Sequence, residues 1–220
     1  MRIVLLGAPG AGKGTQCKRI VEKYGLLHLS SGDILRQERA AGSALGQEAQ
    51  KYMDSGALVP DEVIVKMMAG VIEKAPQAGF VLDGFPRTVN QAEKLDKSLA
   101  SNGKKIDAIL NLKVDDQKVA QRITGRRSCP KCGAVYHIEN LRPKVEGICD
   151  KDGTKLTQRP DDSLEVVTAR LRAYHQQTEP VVDYYKKNNT VYDIDADKNI
   201  DEVSVLLLKN LDALAEGRGN

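Results

Sequence analysis

Three groups of residues in this chain have types and spacings suited to phosphate or metal chemistry. The first is the run Gly7, Ala8, Pro9, Gly10, Ala11, Gly12, Lys13, Gly14, Thr15. Glycines in a turn between a strand and a helix let several backbone N–H groups converge on phosphate oxygens, because no Cβ blocks the approach and the helix start adds positive charge. Lys13 then offers a movable ammonium to the β- and γ-phosphates of a nucleotide. The general nucleotide-binding pattern is Gly, four residues, Gly, Lys and then Ser or Thr. Gly7, Gly12 and Lys13 fit it, Gly14 takes the hydroxyl position, and Thr15 arrives one place late. A magnesium ion is therefore expected to lean on ATP oxygens, water and a carboxylate elsewhere, and not on a loop hydroxyl.

The second group is Leu82, Asp83, Gly84, Phe85, Pro86, Arg87. A strand-end Asp83 can anchor waters around Mg²⁺, and Arg87 can hold an anion opposite the first nucleotide. The third pairs two knuckles of equal spacing, Cys129 with Cys132 and Cys149 with Asp152. Each compact turn directs two side chains at one point, so the four could form a tetrahedral Cys3Asp site for structural Zn²⁺. A redox dithiol at Cys129 and Cys132, or His137 as fourth ligand in place of Asp152, are the alternatives. Cys17 reads as a buried small hydrophobe.

These groups sit in an alternation of short apolar runs and amphipathic stretches. Strands are expected at 2–6, Leu27 to Leu29, Phe80 to Leu82, Ile106 to Leu112 and Val191 to Ile194. Helices are expected from about Lys13 to Tyr24, through about Lys74 in pieces, and over Val89 to Ala100, Asp116 to Thr124, Ser163 to Lys187 and Ile200 to Ala213. The tail Glu216 to Asn220 is expected to fray. Strands separated by helices predict an α/β fold, a doubly wound parallel sheet covered on both faces, with ligands at the strand ends. Residues about 31–60 and 126–160 interrupt this scheme and read as flaps over that ligand.

Composition narrows the function classes. The chain has 220 residues with 33 Lys and Arg against 30 Asp and Glu, and a net charge of +3 is too small to suggest a nucleic-acid partner. Four cysteines argue against a disulfide framework. No apolar run reaches bilayer length, and Ile3 to Leu6 is too short for a signal-peptide core, so a cytoplasmic protein is expected with no membrane partner. Arg36, Arg87, Arg122, Arg126, Arg127, Arg159, Arg170 and Arg172 lie near expected turns or helix faces, where guanidinium groups can grip phosphate.

The segments GAPGAGKGT at 7–15, SSGDILR at 30–36, LDGFPRT at 82–88, RITGRR at 122–127 and QRPDD at 158–162 together resemble the adenylate kinase family over nearly the whole chain, in its long form with a metal-bearing lid. The resemblance implies a P-loop core at 1–30, 60–125 and 161–220, a helical AMP-binding insert at 31–59 and a zinc-ribbon-like lid at 126–160. It implies reversible Mg²⁺-dependent phosphoryl transfer from ATP to AMP, giving two ADP. Roles follow by similarity. Gly10, Ala11, Gly12, Lys13, Gly14 and Thr15 would hold ATP phosphates, with Arg122, Arg126, Tyr136 and Ala196 also on the ATP side. Arg126, Arg159 and Arg170 would gather with Lys13 and Arg87 around the transferring group, and Asp161 and Asp162 would close the lid and tie down those arginines.

On the acceptor side the resemblance places Ser31, Arg36, Met53, Leu58, Val59, Gly84, Arg87 and Gln91, with Arg159 and Arg170, around AMP. The Gln91 carboxamide offers a donor and an acceptor together, matching the amino group and adjacent ring nitrogen of adenine. Ser31 stands where the family often has Thr, Ala196 where a Gly is common, and Asp152 where some relatives have a fourth Cys. Another nucleoside monophosphate kinase, acting on UMP, CMP or GMP, is the nearest competing reading. A nucleotide-driven switch or a zinc-dependent RNA-binding protein is the competitor from a different class. A monomer is expected, since two opposed flaps need free surface.

Overall fold

A computed structural model of the chain describes residues 1–187, 189 and 191–217. Its centre is a five-stranded sheet built from β1 (Arg2–Gly7), β2 (Leu27–Ser30), β3 (Phe80–Asp83), β4 (Ala108–Lys113) and β7 (Val191–Asp195). The order is β2-β3-β1-β4-β7 and every pairing is parallel. Side chains alternate across the sheet as the period of two demands. Val4, Leu6, Phe80, Leu82 and Ile109 enter one core, while Ile3, Leu5, Val81, Leu110 and Leu112 enter the other. Both faces are therefore sealed, which explains the nearly continuous apolar strands.

The first core is closed by α4 (Asp61–Ile72), α5 (Val89–Ala100) and α8 (Glu179–Lys186), through residues such as Met68, Leu95 and Tyr185. The second is closed by α1 (Lys13–Tyr24) and α9 (Ile200–Glu216), through Cys17, Ile20, Val203, Leu207 and Leu211. From β1 the chain builds towards β2 and β3, then crosses to β4 on the other side of β1. This reversal opens a crevice at the carboxyl ends of β1 and β4, where doubly wound sheets bind ligands. The loop at 7–12 lies at that point.

Two further helices, α2 (Ser31–Ala40) and α3 (Ala44–Ser55), stand between β2 and α4; α6 (Asp116–Thr124) precedes the cysteine region. Ser30 caps α2 through Asp33 N–H, and Thr88 caps α5 through Gln91 N–H, each satisfying an orphan donor of a first turn. Residues 126–160 hold a short antiparallel hairpin, β5 (Arg126–Ser128) with β6 (Val135–His137). A small core of Cys129, Ala134, Tyr136, Cys149 and Leu156 lies beneath it.

Three expectations need correction. The helix expected over Ser163 to Lys187 is α7 (Leu164–Ala173), a π-helical turn at Tyr174–Thr178, and α8. Pro180 supplies the reason, because it has no N–H to donate and its ring crowds the carbonyl four residues back, so the ladder widens before it. The fourth strand begins at Ala108, not Ile106, since Asp107 turns its carboxylate onto Arg2 N–H at 2.7 Å. The last helix runs to Glu216, with Gly217 N–H closing on Ala213; residues 218–220 of the expected tail lie outside the described residues.

Candidate active site

The phosphate loop begins where β1 leaves the sheet. Gly7 has φ 140°, and a Cβ there would lie 2.6 Å from the Leu112 carbonyl oxygen, so no side chain fits. Gly12 caps α1 at φ 91° with no side-chain cap; Thr15 N–H already bonds Gly12 O, which leaves the N–H groups of Lys13 and Gly14 at the helix start for an anion. Residues 10–15 line a cleft of about 1320 Å³, together with Asp83, Arg122, Arg126 and Arg159. Gly14 lies beside Asp83: a Cβ at 14 would sit in ordinary van der Waals contact with Asp83 Oδ2 at 3.5 Å, so the carboxylate borders the loop.

Lys13 Nζ donates to the carbonyls of Gly7 and Ala8 at 2.7 and 2.8 Å, which holds it over the loop. Burial in the cleft lowers its pKa to about 8, with Asp83 opposing and Arg87 and Arg170 adding to the fall. Lys13 thus keeps its charge at neutral pH.

A smaller cavity of about 70 Å³ adjoins, lined by Ser31, Met53, Val59 and Gln91. It shares Arg36, Leu58, Gly84, Arg87 and Arg170 with the cleft. Of the acceptor residues named from the sequence, Arg159 alone lines only the cleft. Gln91 is buried, with Oε1 accepting from Arg87 N–H and Nε2 donating to Asp61 Oδ1, both at 2.7 Å. Half of its capacity is thereby committed to fixing its orientation; one lone pair and one N–H remain for a base. Ser31 Oγ donates to Gly84 O at 2.6 Å and Arg87 Nε to the same oxygen at 2.7 Å. The π-helical turn brings Thr178 Oγ1 to Arg87 O at 2.9 Å.

Three further arginines are held by carboxylates and a fourth, Arg159, by a hydroxyl. Arg126 grips the fully buried Asp162 through both oxygens, with Nε to Oδ2 at 2.9 Å. Arg170 pairs with Asp161 at 2.9 Å and approaches Asp162 at 3.8 Å. Arg36 pairs with Asp33, and Arg159 Nε donates to Ser128 Oγ at 2.9 Å. Burial lowers the pKa of Arg159 to about 10, with Arg36 and Arg126 reinforcing it. Burial likewise brings Arg170 to about 10 against the pull of Asp161, and lowers Arg87. Guanidinium groups crowded closely enough to depress one another form a strong anion trap, suited to bidentate phosphate contacts.

Arg122 and Ala196 line the cleft, and Ala196 N–H is bonded to Lys113 O at 2.8 Å. Tyr136 also reaches the cleft, but its hydroxyl accepts from Asp150 N–H at 2.8 Å and lies 3.5 Å from Cys149 Sγ. Its polar end belongs to the cysteine region, so only its ring is offered to a nucleotide.

The ligand atoms of Cys129, Cys132, Cys149 and Asp152 all lie within 4.8 Å of one another. Cys132 and Cys149 sulfurs are 3.6 Å apart and both Asp152 oxygens lie 3.4 Å from Cys129 Sγ. A tetrahedron with Zn–S bonds of about 2.3 Å has edges of about 3.8 Å, so this donor set fits zinc. His137 is directed elsewhere, its Nδ1 accepting from the N–H groups of Glu139 and Asn140. The His137 alternative therefore does not match the geometry.

Sequence reasoning passed over Asp33, Asp61, Ser128 and Thr178, which orient the site without lining up as a motif. Asp33 carried a readable signal, an acidic residue three before Arg36 on one helix face. Asp61 gave none: its partners Thr88, Asn90 and Gln91 are about thirty residues away.

A family model described as adenylate kinase matches residues 5–190. An adenylate kinase of Thermoanaerobacter sp. (strain X514) is 50% identical over 204 residues, covering 92% of this chain and 94% of the relative. One from Archaeoglobus fulgidus is 48% identical over 217 residues, 98% of each chain, and one from Lachnospira eligens is 48% identical over 212 residues, 96% of this chain and all of the relative. Two cavities that share arginines beside a phosphate loop, on a sequence this close to such relatives, leave no room for the switch or RNA-binding reading: the chain belongs to the adenylate kinase family, the ATP:AMP phosphotransferases.

Proposed function

We propose that the large cleft takes ATP and the adjoining cavity takes AMP, and that the arginines common to both neutralise the phosphates between them. The observation that carries this division of labour is the shared wall: Arg36, Arg87 and Arg170 line both cavities. AMP already brings an ionised phosphate as nucleophile, so no protein base is required; alignment and charge neutralisation supply the catalysis. Lys13 and the N–H groups of residues 10–15 would hold the ATP phosphates, while Arg87, Arg126, Arg159 and Arg170 would stabilise charge on the group in flight. Arg122 and Ala196 would frame the ATP base, and the free half of the Gln91 carboxamide would read the AMP base.

Mg²⁺ accompanies ATP in this family and neutralises charge developing between the β- and γ-oxygens. Asp83, beside Gly14 at the mouth of β3, would hold its water shell. The Cys3Asp cluster would hold Zn²⁺ as a closed structural site that organises residues 126–160, with no position open for chemistry. Asp161 and Asp162 would pass their arginines to phosphate as that segment and residues about 31–60 close, which excludes water as a competing acceptor. Lid closure in adenylate kinase is a standard example of such gating. A cytoplasmic monomer fits this reading, and among the described residues no helix is long and apolar enough to cross a membrane.

A coupled assay of ADP formation with AMP, UMP, CMP and GMP as acceptors tests the assignment. AMP should be preferred, and Gln91→Leu should raise the AMP KM far more than the ATP KM. Equal rates with all four acceptors, or an unchanged AMP KM in the variant, would refute the base-reading role.

A further inference from the structure

Beside the phosphate loop, three side chains of different chemistry converge, and of these only Asp83 has a part in the nucleotide chemistry proposed above. Cys17 comes from the first turns of α1, His28 from β2 and Asp83 from the end of β3. Their ligand atoms all lie within 4.8 Å of one another. His28 Nε2 faces Asp83 Oδ2 at 3.4 Å, yet the atom is buried and makes no hydrogen bond among the described residues. Burying an imidazole nitrogen without a hydrogen bond costs free energy, and the Asp83 oxygen at 3.4 Å offsets that only when the ring is protonated, so a ligand at this atom would satisfy it better. Cys17 Sγ closes the third side from the sealed core, the residue being 0% exposed.

The geometry points to a cation site at Cys17, His28 and Asp83, distinct from the Cys3Asp cluster, for a thiophilic divalent ion such as Zn²⁺ or Cd²⁺. One sulfur, one imidazole nitrogen and one carboxylate oxygen form a donor set that suits these ions and that Mg²⁺, a hard cation, avoids. Bonds of about 2.0–2.3 Å need ligand atoms about 3.3–3.8 Å apart; His28 and Asp83 already stand at 3.4 Å, and any pair near the 4.8 Å limit must draw in by roughly 1 Å. His28 and Asp83 line the cleft. The fourth position of the tetrahedron therefore opens towards solvent and the phosphates. On binding, the Cys17 thiol exchanges its S–H bond for a sulfur–metal bond and the proton leaves to solvent.

Filling this site would take the Asp83 carboxylate away from the water shell of MgATP, making it an inhibitory site. That consequence rests on the magnesium role proposed for Asp83; the binding itself does not. The test uses full-length protein already loaded with zinc, titrated with Co²⁺ while thiolate-to-cobalt charge transfer is followed, and assayed in saturating Mg²⁺ with rising Cd²⁺. The wild type should take up cobalt beyond the zinc already held, with a charge-transfer band, and should be inhibited by Cd²⁺. Cys17→Ala should lose that band, keep its magnesium-supported turnover and need roughly tenfold more Cd²⁺ or higher for half inhibition. His28→Gln, on a different element, should weaken cobalt uptake in the same way and covers the case in which the core cysteine variant folds poorly. A band and Cd²⁺ sensitivity unchanged in both variants would overturn the site. Asp83→Asn tests the magnesium role separately: normal turnover there would refute that role, while the cobalt signal of Cys17→Ala against wild type still decides this site.

Discussion

Replacing Lys13 by Met is expected to abolish turnover and raise stability together. Burial holds the Lys13 ammonium in a poorly solvated place and lowers its pKa from 10.5 to about 8. That fall corresponds to about 3 kcal/mol by which folding favours the neutral amine. Lys13 is only half-buried, and solvent screening together with the loss of its bonds to the Gly7 and Ala8 carbonyls reduces the expected gain to about 1–2 kcal/mol. In a domain of this size such a gain raises Tm by roughly 2–8 °C. The sign with pH follows from the direction of the shift. Below about pH 8 both folded and unfolded chains carry the proton and the cost is complete; between about 8 and 10.5 the unfolded chain binds more protons, so wild-type stability recovers as pH rises. The advantage of Lys13→Met should therefore be largest at pH 7 and nearly gone at pH 10.5. Thermal unfolding by circular dichroism at pH 7 and 10, beside a coupled ADP assay, measures both halves. A variant that melts below wild type at pH 7 refutes the desolvation argument, and one with near-normal turnover refutes the role of Lys13.

Other substitutions probe the parts that hold the site. Asp162→Asn should cost about 2–4 kcal/mol in denaturant unfolding, because Arg126 loses the charge and one of the two acceptors of a fully buried partner and faces an amide N–H in its place; a loss under about 0.5 kcal/mol would show the pair to be dispensable. Hydrogen bonds to Glu179 and then Asp116 raise the His175 pKa above 6.5. Its contribution is complete below that value and lost as pH rises through the raised one, so the Tm gap between wild type and His175→Gln should be wider at pH 6 than at pH 9. Chelation of the purified protein should lower its melting point and release zinc more readily from Asp152→Ala; protein that holds no metal and melts unchanged with chelator would remove the structural zinc.

Much of the fold was legible because its signals are local. The strand before Gly7, the helix after Gly12 and the bounds of α5 and α6 all follow from apolar periodicity and capping over a dozen residues. The break at Tyr174–Thr178 was missed: Pro180, which cannot continue a helix ladder, marks it, but the amphipathic pattern on either side concealed it. The hairpin at β5 and β6 was hidden, because strands of three residues carry too little alternation to register. In the site, Lys13, Asp83 and the arginines stood out by type and motif. Asp61 and Thr178 did not, being ordinary polar residues that matter only through the partners packing brings them.

The amino-acid sequence by itself determined the class of ligand. Phosphate is gripped by N–H groups of consecutive residues, and a glycine pattern nine residues long specifies their geometry whatever lies elsewhere. Only the tertiary structure decided which charges answer one another. Asp162 reaches Arg126 across 36 positions, and Gln91 is locked by Asp61 from another helix. Cys17, His28 and Asp83 meet because the strand order β2-β3-β1 sets their elements side by side. Contacts of that kind depend on how whole elements pack, and no spacing along the chain records them.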